Sequence, residues 1–142
     1  SWSSDGTKLY YTSDRSGAPQ IYEVSAVTPN ATPKRLTFEG RYNARPRVSP
    51  DGKRLALVHQ EGSAYQIALF DLQTSALQVL TKGAQDESPS FAPNGAQLIY
   101  ATQDRGHGVL ATVSNDGRFQ QKMGTASGQV REPVWGPFPF IK

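Results

Sequence analysis

Apolar residues recur along this chain in short alternating runs and show no helical period of useful length. Counting forward from Gly6, Gly52 and Gly95, Leu9, Leu55 and Leu98 lie three positions on, and Tyr11, Leu57 and Tyr100 lie five positions on. The two sets alternate with period two, which predicts one apolar face on a strand. Ile21, Ile67 and Leu110, fifteen positions on, anchor a further strand. Leu36, Leu80 and Met123, at offsets of 30, 28 and 28, mark short β-prone runs beyond it. With an apolar residue ahead of each glycine, every repeat is predicted to hold four short strands.

The repeat is punctuated by a cassette. Val48-Ser49-Pro50-Asp51-Gly52 recurs as Phe91-Ala92-Pro93-Asn94-Gly95, with a worn copy at Trp2-Ser3-Ser4-Asp5-Gly6 and a partial one at Trp135-Gly136-Pro137. Trp2, Val48, Phe91 and Trp135 are 46, 43 and 44 positions apart, the mark of an array. Asp-Gly and Asn-Gly tolerate the positive φ of a two-residue hairpin loop, so each cassette predicts a strand entering a tight hairpin. Proline and glycine, 10 and 13 residues, recur too often for helices, and the chain is expected to be all β.

Four-stranded repeats of this length match a propeller blade, whereas a β-sandwich has no reason to repeat its turn chemistry at fixed offsets. The expected architecture is a partial β-propeller over residues 1–142, with repeats at about 1–40, 41–83 and 84–128 and an extra inner strand at about 129–137. Propellers have roughly 4 to 8 blades, so three need partners to close a ring. The chain begins within a cassette and reads as a piece of a longer polypeptide. Its exposed blade faces lead to the expectation that two copies pair, each supplying half of a six-bladed ring.

Composition narrows the chemistry. No apolar run approaches the ~20 residues of a membrane helix, and no export leader opens the chain. Mean hydropathy is −0.53. The absence of cysteine removes disulfides, thiolate metal sites and cysteine nucleophiles. The net charge of +3 comes from scattered basic residues, without the basic stripe or interleaved aromatics that nucleic acid would need.

Nucleophilic catalysis finds little support, since the chain has only His59 and His107 and no G-x-S-x-G elbow. Both histidines are read as surface hydrogen-bonders. Asp14, Asp104 and Asp116 lie in predicted turns without the spacing of a calcium loop, and no metal or cofactor is expected. Asp14-Arg15 and Asp104-Arg105 read as solvated local pairs. Tyr10, Tyr11, Tyr22, Phe70, Tyr100 and Phe119 fall on predicted strands and are assigned mostly to the core. More informative are the loops from the outer strand of one repeat to the inner strand of the next: residues 39–45, 84–88 and 127–132. They converge around the channel mouth and are rich in polar side chains, as binding loops on rigid scaffolds are.

The cassettes from Pro46 to Gly52 and Pro89 to Gly95, the stretch Ser114-Asn115-Asp116-Gly117-Arg118-Phe119 and the run Gly128-Gln129-Val130-Arg131-Glu132-Pro133-Val134-Trp135 resemble the TolB family of propellers. Departures are Ser4 for the cassette proline, Gly136 for the usual Ser or Ala, and the longer tail Phe138 to Lys142. The resemblance implies half of a six-bladed propeller, preceded in the family by a small N-terminal domain through which Tol proteins are engaged. It also implies a periplasmic, non-enzymatic role in the Tol-Pal envelope system, binding the peptidoglycan-associated lipoprotein Pal. On the family's pattern, the candidate contact residues are Tyr42, Asn43, Arg45, Asp86, Glu87, Ser88, Arg131 and Glu132. The competing reading is the propeller portion of a prolyl-oligopeptidase-like serine peptidase without its hydrolase domain.

Overall fold

The run Leu55-Ala56-Leu57-Val58 is buried at every position, so it cannot belong to a sheet with one wet face. In the computed structural model, which describes residues 1–123, this run lies in the middle of three antiparallel sheets. The first sheet holds β1 (Lys8–Ser13), β2 (Gln20–Ser25) and β3 (Lys34–Arg35). The second holds β4 (Asn43–Val48), β5 (Arg54–Glu61), β6 (Ala64–Asp71) and β7 (Leu77–Val79). The third holds β8 (Glu87–Phe91), β9 (Gln97–Asp104), β10 (His107–Ser114) and β11 (Gln120–Lys122). Strands are neighbours in chain order within each sheet, and no helix occurs among the described residues. The architecture is the propeller fragment expected from the repeat. The extra inner strand at about 129–137, with Trp135, lies outside the described residues.

The offsets in the sequence correspond to hydrogen bonds. The amides of Leu36, Leu80 and Met123 donate to the carbonyls of Ile21, Ile67 and Leu110, each at 2.8 Å. The first sheet lacks a full inner strand; in its place Trp2 bridges Leu9, and the Ser3 amide donates to Lys8 O at 2.9 Å.

Two apolar layers join the sheets. Tyr10 and Ile21 of the first sheet pack with Leu55, Leu57, Ala68 and Phe70 of the second. From the opposite face of the second, Ala56, Val58, Ile67 and Leu69 pack with Phe91, Leu98, Tyr100, Ala111 and Val113 of the third. Burying one such side chain fully is worth about 1.5–3 kcal/mol, so each layer is a substantial adhesive. The face predicted for Leu9 and Tyr11 is filled only in its later copies. Leu9 and Tyr11 stay half-buried because their face of the first sheet looks away from the second. Phe119 corrects the sequence reading outright: it follows a turn, belongs to no strand and is 75% exposed.

The cassette turns also depart from expectation. The Gly52 amide donates to Ser49 O at 2.9 Å and the Ser49 amide to Arg54 O at 2.8 Å, so the loop is longer than two residues. Only Gly52 has positive φ, at 74°; the preceding Asp51 does not. Asp51 acts through its side chain instead. Its Oδ1 accepts from the Ser49 hydroxyl at 2.6 Å and the Lys53 amide at 3.0 Å, while the Arg54 amide donates to Ser49 Oγ at 3.0 Å. Ser3, Asp5, Thr7 and Lys8 repeat this arrangement, as do Ser114, Asp116, Arg118 and Phe119. Asn94 keeps one of these bonds, accepting from the Ala96 amide at 2.9 Å, because Ala92 offers no hydroxyl.

These contacts favour the ionised carboxylates. Hydrogen bonds from the Thr7 and Ser3 side chains hold Asp5 down at about 2. The Ser49 hydroxyl lowers Asp51, the Ser114 hydroxyl lowers Asp116, and the Thr74 and Gln73 amides lower Asp71. Each group ionises more readily folded than unfolded, so its contribution is complete above about pH 5 and is lost as pH falls through the folded values. The urea midpoint is expected to fall between about pH 4.5 and about pH 2.5, less steeply in the Asp51→Asn, Asp116→Asn double variant. A midpoint that is flat over this interval, or a double variant as steep as the parent, contradicts this role for the turns.

Candidate partner-binding site

Between consecutive sheets the chain crosses from an outer strand to an inner one through residues 36–43 and 80–87; the middle of each crossing is largely exposed, but its buried ends, Thr37 and Asn43 in one and Thr81 and Asp86 in the other, need internal polar partners. At the first junction the Thr37 hydroxyl donates to Gln20 Oε1 at 2.6 Å and accepts from the Ile21 amide at 3.0 Å. Gln20 Nε2 donates to Gly40 O at 3.1 Å. Asn43 Nδ2 donates to Gln20 Oε1 at 2.9 Å and to Glu39 O at 2.7 Å, and Asn43 Oδ1 lies 2.7 Å from His59 Nδ1. The second junction has the same plan. Gln66 Nε2 donates to Gly83 O at 3.3 Å, the Ile67 amide to Thr81 Oγ1 at 2.9 Å, and the Thr102 hydroxyl to Asp86 Oδ1 at 2.6 Å. Both crossings need glycine at the point of closest approach. A Cβ on Gly40 would come 2.9 Å from His59 Cε1, and one on Gly83 would collide with the Asp86 carboxylate.

Just past each crossing the inner strand bulges. Arg45 and Ser88 have φ of 58° and 55°, the register shifts between Ala44 and Arg47 and between Glu87 and Ser90, and a proline follows each bulged residue. A non-glycine residue in this region costs about 1–2 kcal/mol, so surrounding contacts must hold it. One is visible: the Arg45 amide donates to Thr12 Oγ1 of β1 at 2.9 Å. Bulges re-aim side chains at the rims of sheets, and both of these lie in the expected binding segments.

The candidate residues divide accordingly. Tyr42, Arg45, Asp86 and Glu87 come together around a cavity of about 270 Å³ at the junction of the second and third sheets, with Val58, Tyr65 and Gln85. Tyr42 meets Tyr65 edge to face, with ring centroids 5.2 Å apart and planes at 89°. The Tyr65 amide donates to Ala84 O at 2.9 Å and the Asp86 amide to Tyr65 O at 2.8 Å, pinning the crossing loop to the start of β6. Asn43 and Asp86 are 0% and 1% exposed, and their side-chain bonds are spent inside the junctions. From there they position the loops, and Asp86 also lines the cavity. Ser88 is also buried, and its Oγ has no hydrogen-bond partner. Arg131 and Glu132 lie outside the described residues.

Tyr65 and Val58 belong to the cavity but carry no motif; only an aromatic residue just after the Gly62 turn hinted at the first. Burial and the Asp86 carboxylate push the Tyr100 phenol up to about 12, so it stays neutral beneath the site. His59 is the other correction. Read as a surface hydrogen-bonder, it is 2% exposed and embedded in the first junction, whereas His107 is exposed at the start of β10. The expected Asp-Arg pairs give way to other contacts: Arg15 lies over the Tyr22 ring at 5.8 Å, and Asp104 pairs with Lys122 at 3.3 Å.

Comparison with known proteins follows the same lines. The Tol-Pal system protein TolB of Nitrosospira multiformis is 48% identical over 104 residues, 73% of this chain and 24% of that protein. The crystal structure of TolB from Acinetobacter baumannii superposes with a TM-score of 0.86 at 46% identity, covering 94% of this chain and 33% of that one. A putative TolB from Agrobacterium tumefaciens shares the fold at a TM-score of 0.74 and 24% identity, covering 85% of this chain and 46% of that one. The chain thus spans about a quarter of the length of the curated relatives it matches. The family described as TolB beta propeller domain matches residues 1–139, the repeated sheets and their crossings included, and the chain belongs to that family.

Proposed function

We propose that this chain is a non-catalytic binding portion of a TolB-type propeller in the periplasmic Tol-Pal system, and that it receives the lipoprotein Pal at the junction of the second and third sheets. The observation that carries the reading is the cavity lined by Tyr42, Tyr65, Arg45 and Glu87, in which aromatic surface and both signs of charge sit on a crossing loop and the adjoining strand ends, tied down by buried polar bonds. Aromatic and arginine anchors of this kind dominate protein interfaces, and a rigid mount lowers the entropy lost on binding. The relatives' identity of 48% supports the Tol-Pal reading over the peptidase one. Tol proteins would be engaged through parts of the longer polypeptide.

The charges give a direct test. The Arg45→Glu, Glu87→Arg double variant is expected to bind the soluble domain of Pal more weakly by about 1 kcal/mol or more in calorimetric titration, with an unchanged circular dichroism spectrum. Unchanged affinity places the site elsewhere.

Two copies of the chain are further proposed to pair, each supplying half of a ring. The outward face of the first sheet supports this: Trp2 is 58% exposed, and Leu9 and Tyr11 are only half-buried. Light scattering on a sizing column should then return twice 15.5 kDa. A single-chain mass at all concentrations, with a cooperative melt, rejects pairing.

A further inference from the structure

His59 stands where the next junction has Thr102, and the substitution changes what the junction can sense. Backbone carbonyls accept and never donate, so Glu39 O at 2.7 Å fixes which end of the Asn43 amide is Nδ2. Gly40 O at 3.1 Å fixes Gln20 in the same way, which makes Gln20 Oε1 the acceptor for Asn43. Asn43 Oδ1 therefore faces His59 Nδ1 at 2.7 Å, and the ring must carry a proton there. The other ring nitrogen, Nε2, lies 3.0 Å from Glu61 Oε2. A neutral ring protonated on Nδ1 would turn a lone pair toward that carboxylate. Both contacts are hydrogen bonds only if the ring carries both protons.

We propose that His59 is a proton-binding site whose imidazolium form bridges Asn43 to Glu61, and that release of the Nε2 proton frees the end of β5, whose Gln60 amide donates to Tyr42 O at 3.0 Å, and so loosens the crossing loop that presents Tyr42. The other charged groups around the ring are Glu39 and Arg41 of the crossing loop, which with Glu61 line the hollow against the exposed side of the junction. From β6 the residue opposite is the neutral Gln66, and from β4 it is Asn43. The Glu61 side chain is 72% exposed and free to swing into water when the ring loses its proton, whereas the ring itself, 3% exposed, has no such exit. At the second junction the Thr102 hydroxyl and the Gly83 amide donate to Asp86 at 2.6 and 3.0 Å, so that junction holds without a histidine. One crossing thus includes a ring proton among its bonds and its neighbour does not.

This inference rests on the proposed function only for its consequence at the Pal site, and its test needs no partner. Long-range proton-nitrogen NMR of the whole ¹⁵N-labelled chain, recorded between about pH 5 and pH 8 where histidines exchange their proton, reads each ring nitrogen separately. A His107→Gln variant assigns the signals. His59 Nδ1 should keep its proton throughout while Nε2 loses its own, and the Tyr42 and Asn43 amide shifts should follow the same curve. In Glu61→Gln, the side-chain amide can donate to the bare Nε2, so the ring should still titrate while the Tyr42 and Asn43 shifts stop responding. A neutral ring protonated on Nε2, backbone shifts that ignore the titration, or an unaltered response in Glu61→Gln would each overturn the proposal. Failure to bind Pal would leave all these signals in place.

Discussion

Stacked sheets must let the chain pass from the outer edge of one to the inner edge of the next, and the two ends of that passage take polar groups out of water. The rest of the structure depends on how they are satisfied. Gln20 at one junction and Gln66 at the other donate to crossing carbonyls, those of Gly40 and Gly83, while Thr37 and Thr81 of the crossings accept from the amides of Ile21 and Ile67. Unpaired polar groups in such a position cost about 1–3 kcal/mol each, comparable to the gain from a buried leucine. The apolar layers hold the sheets together without direction; the polar bonds decide at what height and in what register they meet. Gly40 and Gly83 follow from the same constraint, since a side chain at either would displace His59 or Asp86.

The candidate site is a consequence of this anchoring. Once Asn43 and Asp86 are bound inward, the residues beside them are held at the rim: Tyr42 before one, Glu87 after the other, and Arg45 at the bulge. Strain in the bulges is tolerable because the flanking strand is sewn to β5 or β9 on one side and, at Arg45, to Thr12 of the preceding sheet on the other. The pocket between Tyr42 and Tyr65 is therefore shaped by two different blades. Relative motion of those blades would alter it directly.

Much of the fold was legible because a repeat exposes its own register. Ile21, Ile67 and Leu110 could be aligned by eye, and the three identical hydrogen bonds to Leu36, Leu80 and Met123 show that the alignment is physical. What stayed hidden was set by contacts between sheets. Asn43, Asp86 and His59 look like surface residues in the chain, and only the partners that crowd them, some more than fifteen positions away, make them interior. Positive φ at Arg45 and Ser88 was equally unreadable, since neither residue type favours it and a proline follows each. Phe119 failed in the other direction: its neighbours Ser114 and Asp116 had already committed the segment to a turn.

The central claim is that buried polar bonds at the crossings, together with the apolar layers, hold the sheets in their stack. Urea denaturation of Asn43→Ala and Thr81→Val tests it most directly, one variant for each junction. Each removes a partner of a buried group and leaves the apolar layers intact, so a loss of about 1–3 kcal/mol is expected in both. Losses within about 0.5 kcal/mol of zero, the range of ordinary surface substitutions, would contradict it.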